Sequence, residues 1–317
     1  MDEKIQLGIS SCLLGNAVRY NGGHQLDLFL TETLGPFVEF VPVCPEVECG
    51  LGIPRESMRL VGTMDNPRLM TSKSGIDHTD RMKEWARRKV KELEGENLCG
   101  FIFKSKSPSS GMERVRVYRP DKTGYVGTRP GMFAEMVMAH FPLLPVEEDG
   151  RLHDIGLREN FIEQIFVYRR WKNLVAAQFT TGDLVAFHTE HKLLLMAHSI
   201  AQYRIMGALV AQAKKYPRSE LVRDYEASLM KALRLKATVK KHTNVLQHMM
   251  GYFKTMLAGE EKQELLDLIE KYRKGYYPLI VPITLINHYV RKYHEKYLAR
   301  QHYLNPHPTE LKLRNHA

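Results

Sequence analysis

The chain is 317 residues long, 44% hydrophobic and 26% charged, a balance typical of soluble globular proteins and a length that suggests two domains. It has no stretch of roughly 18 apolar residues, so no membrane span is expected. Its charged opening, Met-Asp-Glu-Lys-Ile-Gln, lacks the apolar region of a secretory signal, and a cytoplasmic location is expected. Four cysteines in such a chain argue against a disulfide framework and leave metal binding, catalysis or burial.

The net charge of +10 is unevenly spread. Residues 1–150 carry 19 basic and 21 acidic side chains, a net of −2, whereas residues 151–317 carry 27 and 15, a net of +12. A basic second half points to a polyanionic partner, nucleic acid before membrane.

The first half alternates strand and helix signals. Ile5–Ile9 and Phe37–Val41 read as buried strands. Residues 79–93 place Met82, Trp85, Ala86, Val90 and Leu93 on one helical face. Leu98–Phe103 is a third strand, Met132–His140 a short helix and Leu143–Val146 a weak fourth strand. The alternation predicts an α/β domain with a mainly parallel sheet and Rossmann-like layers over 1–150. Glu147–Gly150 reads as a polar break, and an all-α domain is expected over 151–317. Its expected helices are 160–179, 184–203 capped by Asp183, one or two within 220–250, 260–274, and 285–303. Pro278 and Pro282 separate the last two, and the tail from Asn305 reads as frayed.

Three motifs follow the three strong strands. They are Ser-Cys-Leu-Leu-Gly ending at Gly15, Pro-Val-Cys-Pro-Glu ending at Glu46, and Lys-Ser-Lys-Ser-Pro-Ser-Ser-Gly ending at Gly111. Ligands of open parallel sheets bind outside the carboxyl ends of the strands, so the three motifs are expected to share one crevice. Cys12 and Cys44 are candidate metal or cluster ligands. Cys49 makes a Cys-x4-Cys spacing with Cys44, which leaves zinc as a minor alternative, while Cys99 reads as core. Glu46 can move protons for a bound water. Lys104, Ser107 and Ser109 can position a polar heterocycle or an anion, and Arg19, Tyr20 and His24 can line the same crevice. In the second half, His188, His191 and His198 share a helical face and read mainly as polar packing or RNA contacts. Lys231, Arg234, Lys236, Lys240 and Lys241 fall on one predicted helix. Tyr289, Arg291, Lys292, Tyr293, Lys296, Tyr297 and Arg300 fall on another, a basic and aromatic mixture suited to phosphates and bases.

Taken together, Ser-Cys-Leu-Leu-Gly-x-x-Val-Arg-Tyr-x-Gly-Gly-His, Pro-Val-Cys-Pro-Glu-Val and Lys-Ser-x-Ser-Pro-Ser-x-Gly make residues 5–146 resemble the thiouracil desulfidase family. The remainder, with Leu-Val-Ala-Phe-His-x-x-His-Lys-Leu-Leu and Tyr-Tyr-Pro-Leu-Ile-Val-Pro, resembles the helical companion domain fused to that family, an arrangement known from desulfidases of tRNA 4-thiouridine. The resemblance implies a [4Fe–4S] cluster on three cysteines, with the fourth iron open to a thiocarbonyl sulfur and no net redox. It implies Cys12 and Cys44 as ligands, Glu46 as acid/base, and Lys104, Ser107 and Ser109 as residues that orient the base. It also implies a helical domain that binds tRNA carrying 4-thiouridine. The third ligand position of the family is Ser110 here, a hard oxygen donor in place of a thiolate, which points to an impaired site. Two other readings stand beside it: a non-catalytic RNA-binding protein that recognises thiouridine or uridine, and a zinc-stabilised domain using Cys12, Cys44 and Cys49.

Overall fold

The computed structural model describes residues 4–121 and 123–315, which fall into two compact units, 1–154 and 155–317. In chain order the first unit holds β1 (Ile5–Ser10), β2 (Val38–Val43), α1 (Pro45–Glu48), β3 (Met58–Gly62), β4 (Pro67–Thr71), α2 (Thr79–Glu92), β5 (Gly100–Phe103), β6 (Val115–Tyr118), β7 (Tyr125–Arg129), α3 (Met132–His140) and β8 (Val146–Glu148).

The main sheet has strand order β2-β1-β5-β8 and is parallel throughout. β1 and β5 are buried along nearly their whole length, as expected for central strands covered on both faces. A side chain at Gly8 would lie 2.1 Å from the Phe101 ring, so this glycine lets β1 and β5 pair beneath a large aromatic. α2 packs the side chains of Met82, Trp85, Ala86 and Val90 inward, and Trp85 meets Phe133 of α3 at 5.1 Å between ring centroids.

Two features depart from the sequence reading. A second sheet, β4-β3-β6-β7, has no counterpart among the expected strands. β4 and β6 alternate buried with more exposed positions, β3 buries one residue and β7 none, and each strand is only four or five residues long, too short a run for periodicity to declare itself. The stretch read as a polar break is in fact the end of β8. Glu147, Glu148 and Asp149 are all buried, because each carboxylate is occupied by a neighbouring loop. Glu148 accepts the Met112 amide at 2.7 Å, Asp149 accepts the Lys104 ammonium at 2.7 Å, and Glu147 accepts Arg151 Nε at 2.6 Å.

The second unit is helical: α4 (Ile155–Ala176), α5 (Thr181–His198), α6 (Ile200–Ala211), α7 (Arg218–Leu233), α8 (Val239–Tyr252), α9 (Gly259–Arg273), α10 (Ile280–Lys292) and α11 (Lys296–Ala299). Thr180, not Asp183, is the N-cap of α5, and Asp183 completes the reciprocal capping box. The helix expected over 184–203 breaks at Ser199, which is extended and caps α6 by accepting from Gln202. The expected basic helix through Lys241 is likewise two helices, since Thr238 starts α8. The helix expected over 285–303 ends at Lys292, where His294 takes a left-handed φ of 52°.

The tail is not frayed. Leu311, Leu313 and Arg314 are buried, and Arg314 bonds Glu163 at 2.5 Å and Glu159 at 3.3 Å on α4. Burial alone would push the Glu163 carboxyl up, but Arg314 and His198 reverse this and hold it well below the usual range. Glu159 is raised by burial and by the adjacent Glu163 charge. Removing one partner of a buried ion pair leaves an uncompensated charge. Arg314→Ala is therefore expected to destabilise the second unit by about 3–5 kcal/mol, measured by urea unfolding, and a loss below about 1 kcal/mol, the value of an exposed pair, would show that the tail carries no such charge pairing.

Candidate functional site

Because β1 lies between β2 and β5, the loops that follow all three strands emerge side by side at one edge of the main sheet. They enclose a cavity of about 460 Å³ lined by Cys12, Cys44, Glu46, Lys104, Ser107 and Ser110, together with Arg19, Tyr20, Arg55 and others. Ser109 is fully buried directly behind it. His24 does not join. It is exposed, and its Nδ1 accepts the Leu26 amide at 3.2 Å.

Each loop is held by its own backbone. After β1 the chain makes a single 3-10 turn, and Gly15, at φ 88°, ends it. Cys12 O accepts the amides of Gly15 at 3.4 Å and Gln25 at 2.8 Å. After β2, Cys44 begins the short helix α1 and its amide donates to Glu48 Oε1 at 2.8 Å. The third loop is clamped by the start of α3, whose free amides from Met132, Phe133 and Ala134 donate to the carbonyls of Pro108 and Ser109. A Cβ at Gly131 would lie 2.6 Å from the Ser109 backbone, so this clamp closes only on glycine.

Glu46 is the polar centre of the cavity. Its Oε1 accepts the Ser109 hydroxyl, and Ser109 Oγ lies 2.9 Å from Ser107 Oγ and 3.4 Å from Ser110 Oγ. Its Oε2 is 3.6 Å from Cys44 Sγ and 3.7 Å from Arg55 Nη2. Arg55 Nη1 donates to Val18 O at 3.0 Å, so this one guanidinium ties the Cys12 loop to the Cys44 loop. Lys104 donates from its backbone to Ser10 Oγ at 2.8 Å and from its ammonium to Asp149, whose carboxyl it helps hold below the ordinary value against the opposing effect of burial. Arg55 and Asp149 were not among the expected site residues. Arg55 has no motif of its own, and the Asp149 stretch reads from sequence as a linker.

The two thiols are strongly protonated. Burial pushes Cys12 up to about 11, with Lys104 opposing and Glu46 adding to the rise. Burial and then the Glu46 carboxylate push Cys44 up to about 12. Cys49 donates to Glu46 O at 3.3 Å and does not line the cavity, while Cys99 is buried in the core.

The donor set can be weighed against a three-thiolate iron–sulfur cluster. Cys12 and Cys44 fit, being soft donors on one wall of the cavity. Ser110, the third residue facing it, does not fit, because a hydroxyl is a hard donor that resists deprotonation far more than a thiol. Cys49 does not stand in for it. Among the described residues, no group of three or more His, Cys, Asp or Glu side chains is placed to hold a metal ion, which also removes support for a zinc site on Cys12, Cys44 and Cys49.

His188, His191 and His198 are packing residues. His188 bonds Tyr225 Oη at 3.1 Å, His191 the Phe187 carbonyl at 2.8 Å, and His198 Glu163 at 3.0 Å, and all three are buried. Tyr289 is likewise core, and Lys292 and Arg300 are engaged by Glu261 and Glu190. Lys231, Arg234, Lys236 and Lys240 are exposed around the turn from α7 to α8.

A parallel α/β layer with thiols, a carboxylate and serines at its carboxyl edge defines a candidate ligand site on the first unit. The family model described as 2-thiouracil desulfurase matches residues 7–149, and a model described as a protein of unknown function, DUF1722, matches residues 192–308. The chain is 33% identical over 153 residues to the uncharacterized protein YbgA of Escherichia coli (strain K12), covering 48% of this chain and 90% of that one. It is 31% identical over 111 residues to the uncharacterized protein YbbK of Bacillus subtilis (strain 168), covering 32% and 71%. A solved structure described as the [4Fe–4S]-dependent thiouracil desulfidase TudS aligns with a TM-score of 0.39 at 25% identity, over 49% of this chain and 97% of that one. The chain belongs to the 2-thiouracil desulfurase family and carries the DUF1722 domain as its helical second part.

Thiolate, not thiol, is the species that alkylates. At pH 8, Cys12 is expected to react with iodoacetamide roughly 100-fold more slowly than an unperturbed thiol, as measured by peptide mass spectrometry against glutathione. A rate equal to that of glutathione would contradict the buried, protonated thiol.

Proposed function

We propose that the cavity accepts a thiolated pyrimidine and that the chain descends from, or performs weakly, the desulfuration of 4-thiouridine in tRNA. The observation that carries this reading is the convergence of Cys12, Cys44 and Ser110 with Glu46 in one cavity. Family membership supplies the reaction class. The exposed cations Lys231, Arg234, Lys236 and Lys240 in the half of net charge +12 support a tRNA partner.

In the net reaction one water enters, its oxygen replaces the sulfur of the thiocarbonyl, and the sulfur departs as hydrogen sulfide, without net oxidation or reduction. In this reading Glu46 takes the proton from the attacking water. Ser109 fixes one of its oxygens and Arg55 steadies the other, which keeps the carboxylate aimed. Ser107 orients Ser109 and donates or accepts at the cavity wall. Lys104, held by Asp149, presents a cation that suits the oxygen or the anionic form of the base. The soft wall of Cys12 and Cys44 faces sulfur. A target base in folded RNA must be turned out of its stack to enter, at a cost of about a few kcal/mol.

The third donor decides how far the chemistry goes. With Ser110 in place a [4Fe–4S] cluster would find only Cys12 and Cys44 as thiolate donors, which would reduce the site to binding or to slow turnover. The same serine favours the second reading, a non-catalytic protein that recognises thiouridine or uridine in RNA. After anaerobic reconstitution, Ser110→Cys is expected to hold about four irons with matching acid-labile sulfide, and the parent chain far fewer. It should also convert 4-thiouridine to uridine in tRNA. Ser110→Cys that loads the cluster and still shows no turnover would establish the non-catalytic reading instead. In the same background, Glu46→Gln should lower turnover about 10²- to 10⁴-fold with iron content unchanged, and an unaltered rate would remove Glu46 from proton transfer.

A further inference from the structure

The second sheet of the first unit carries a groove of about 980 Å³ that shares Met58, Lys106 and Pro108 with the wall of the thiol cavity. The first 150 residues are net −2, yet the residues lining this groove include Arg59, Lys106, Arg114 and Arg116 and not one acid. Leu60 of β3 pairs with Val117 of β6, and both are buried, so the preceding Arg59 and Arg116 stand side by side on the opposite face. Like charges on neighbouring strands cost stability unless something neutralises them. Arg114 has Glu113 at 3.1 Å, but among the described residues Arg59, Lys106 and Arg116 have no ion-pair partner. Lys106 and Arg114 are both exposed.

Aromatics interleave with these cations. Tyr118 pairs across the strands with Tyr125, and Arg59 lies 5.5 Å from the Tyr118 ring centroid and Arg116 5.0 Å from that of Tyr125. Tyr125 is 50% exposed on an outer strand, so its ring is open to a stacking partner. Cations spaced along a groove with a half-buried ring and an exposed ring between them fit the phosphates and unpaired bases of a single strand of nucleic acid. The acid-free row of cations selects an anionic chain, and a ring among them adds a stacking surface that a lipid headgroup does not use.

We propose that this second sheet is a single-stranded RNA track. It would hold the nucleotides next to the thiolated base, Arg59, Lys106 and Arg116 on their phosphates and Tyr125 under a base, and lead the target into the thiol cavity. This inference rests on the proposed function for its choice of RNA, and it places part of the substrate recognition in the α/β unit rather than in the basic helical unit alone.

The test uses the full chain without turnover, so that a failure of desulfuration chemistry leaves it readable. Binding of a fluorescent twelve-residue oligouridylate is measured by anisotropy over a salt series. The proteins compared are the parent, Arg116→Glu, Tyr125→Ala, and Lys236→Glu/Lys240→Glu on the second unit. Arg116 and Tyr125 are exposed, so neither variant should disturb the core. Arg116→Glu is expected to weaken binding about tenfold and reduce the salt slope by about one or two, and Tyr125→Ala about five- to tenfold with the slope unchanged. An oligouridylate carrying one 5-iodouridine should photocrosslink to a peptide from residues 115–129. The proposal is overturned if crosslinks are confined to residues 155–317 while both groove variants bind like the parent. It is overturned as an RNA track if inorganic polyphosphate displaces the oligomer and Tyr125→Ala has no effect, the behaviour of a bare polyanion patch. A positive crosslink together with an inactive, cluster-loaded Ser110→Cys would refute the desulfuration reading and leave the track standing.

Discussion

The placement of β1 between β2 and β5 is the constraint on which the site depends. Parallel pairing fixes the carboxyl ends of all three strands at one edge, so the chain must turn there three times. Cys12, Cys44 and Ser110 are far apart in sequence and have no local reason to meet. They meet because hydrogen-bond register leaves their loops no other place to go. A change that disturbed the β1–β5 pairing, such as a side chain at Gly8 against Phe101, would open the site without touching any of its functional groups.

Within that frame, buried charges and glycines position the loops more than apolar packing does. Asp149 anchors the start of the third loop through Lys104 and the Ser105 amide, Glu148 anchors its end through Met112 and Glu113, and Arg55 joins the first two loops. Each of these carboxylates or cations satisfies backbone groups that water would otherwise reach, which is how a polar loop can be both ordered and partly buried. The Glu46–Ser109–Ser107 chain sits inside this scaffold, so its geometry is inherited from the loops that Asp149, Glu148 and Arg55 hold.

Ser110 shares one cavity with Cys12 and Cys44 and gives it a mixed set of donors. The Glu46 carboxylate and a loop clamped by α3 stand beside them. The donor set itself is two-thirds soft and one-third hard, and soft metal chemistry depends on the identity of each donor rather than on their average. The helical unit is built on a different principle, with His188, His191, His198, His242 and several tyrosines drawn inward and its tail pinned through Arg314, so that much of its polar inventory serves packing.

The legible parts of the sequence were those governed by local chemistry. Long apolar runs marked β1 and β5, the 3.6-residue period marked α2, and the three Gly- and Pro-shaped motifs marked Cys12, Cys44, Glu46 and the serines. A departure as small as Ser110 was visible because the motif fixes what each position is for. The short strands of the second sheet were hidden, and with them the basic groove, because four or five residues carry too little periodicity. Glu147–Asp149 read as a linker because burial of an acid depends on a partner more than thirty residues away, as Asp149 shows with Lys104. Arg55 was missed for the same reason, and so was the ordered tail. By itself the sequence determined which chemical groups the protein has and where its strongest elements begin. Only the tertiary structure decided which groups meet, since strand order, long-range ion pairing and the clamp on Gly131 are properties of the packed chain and leave no mark on any local stretch of it.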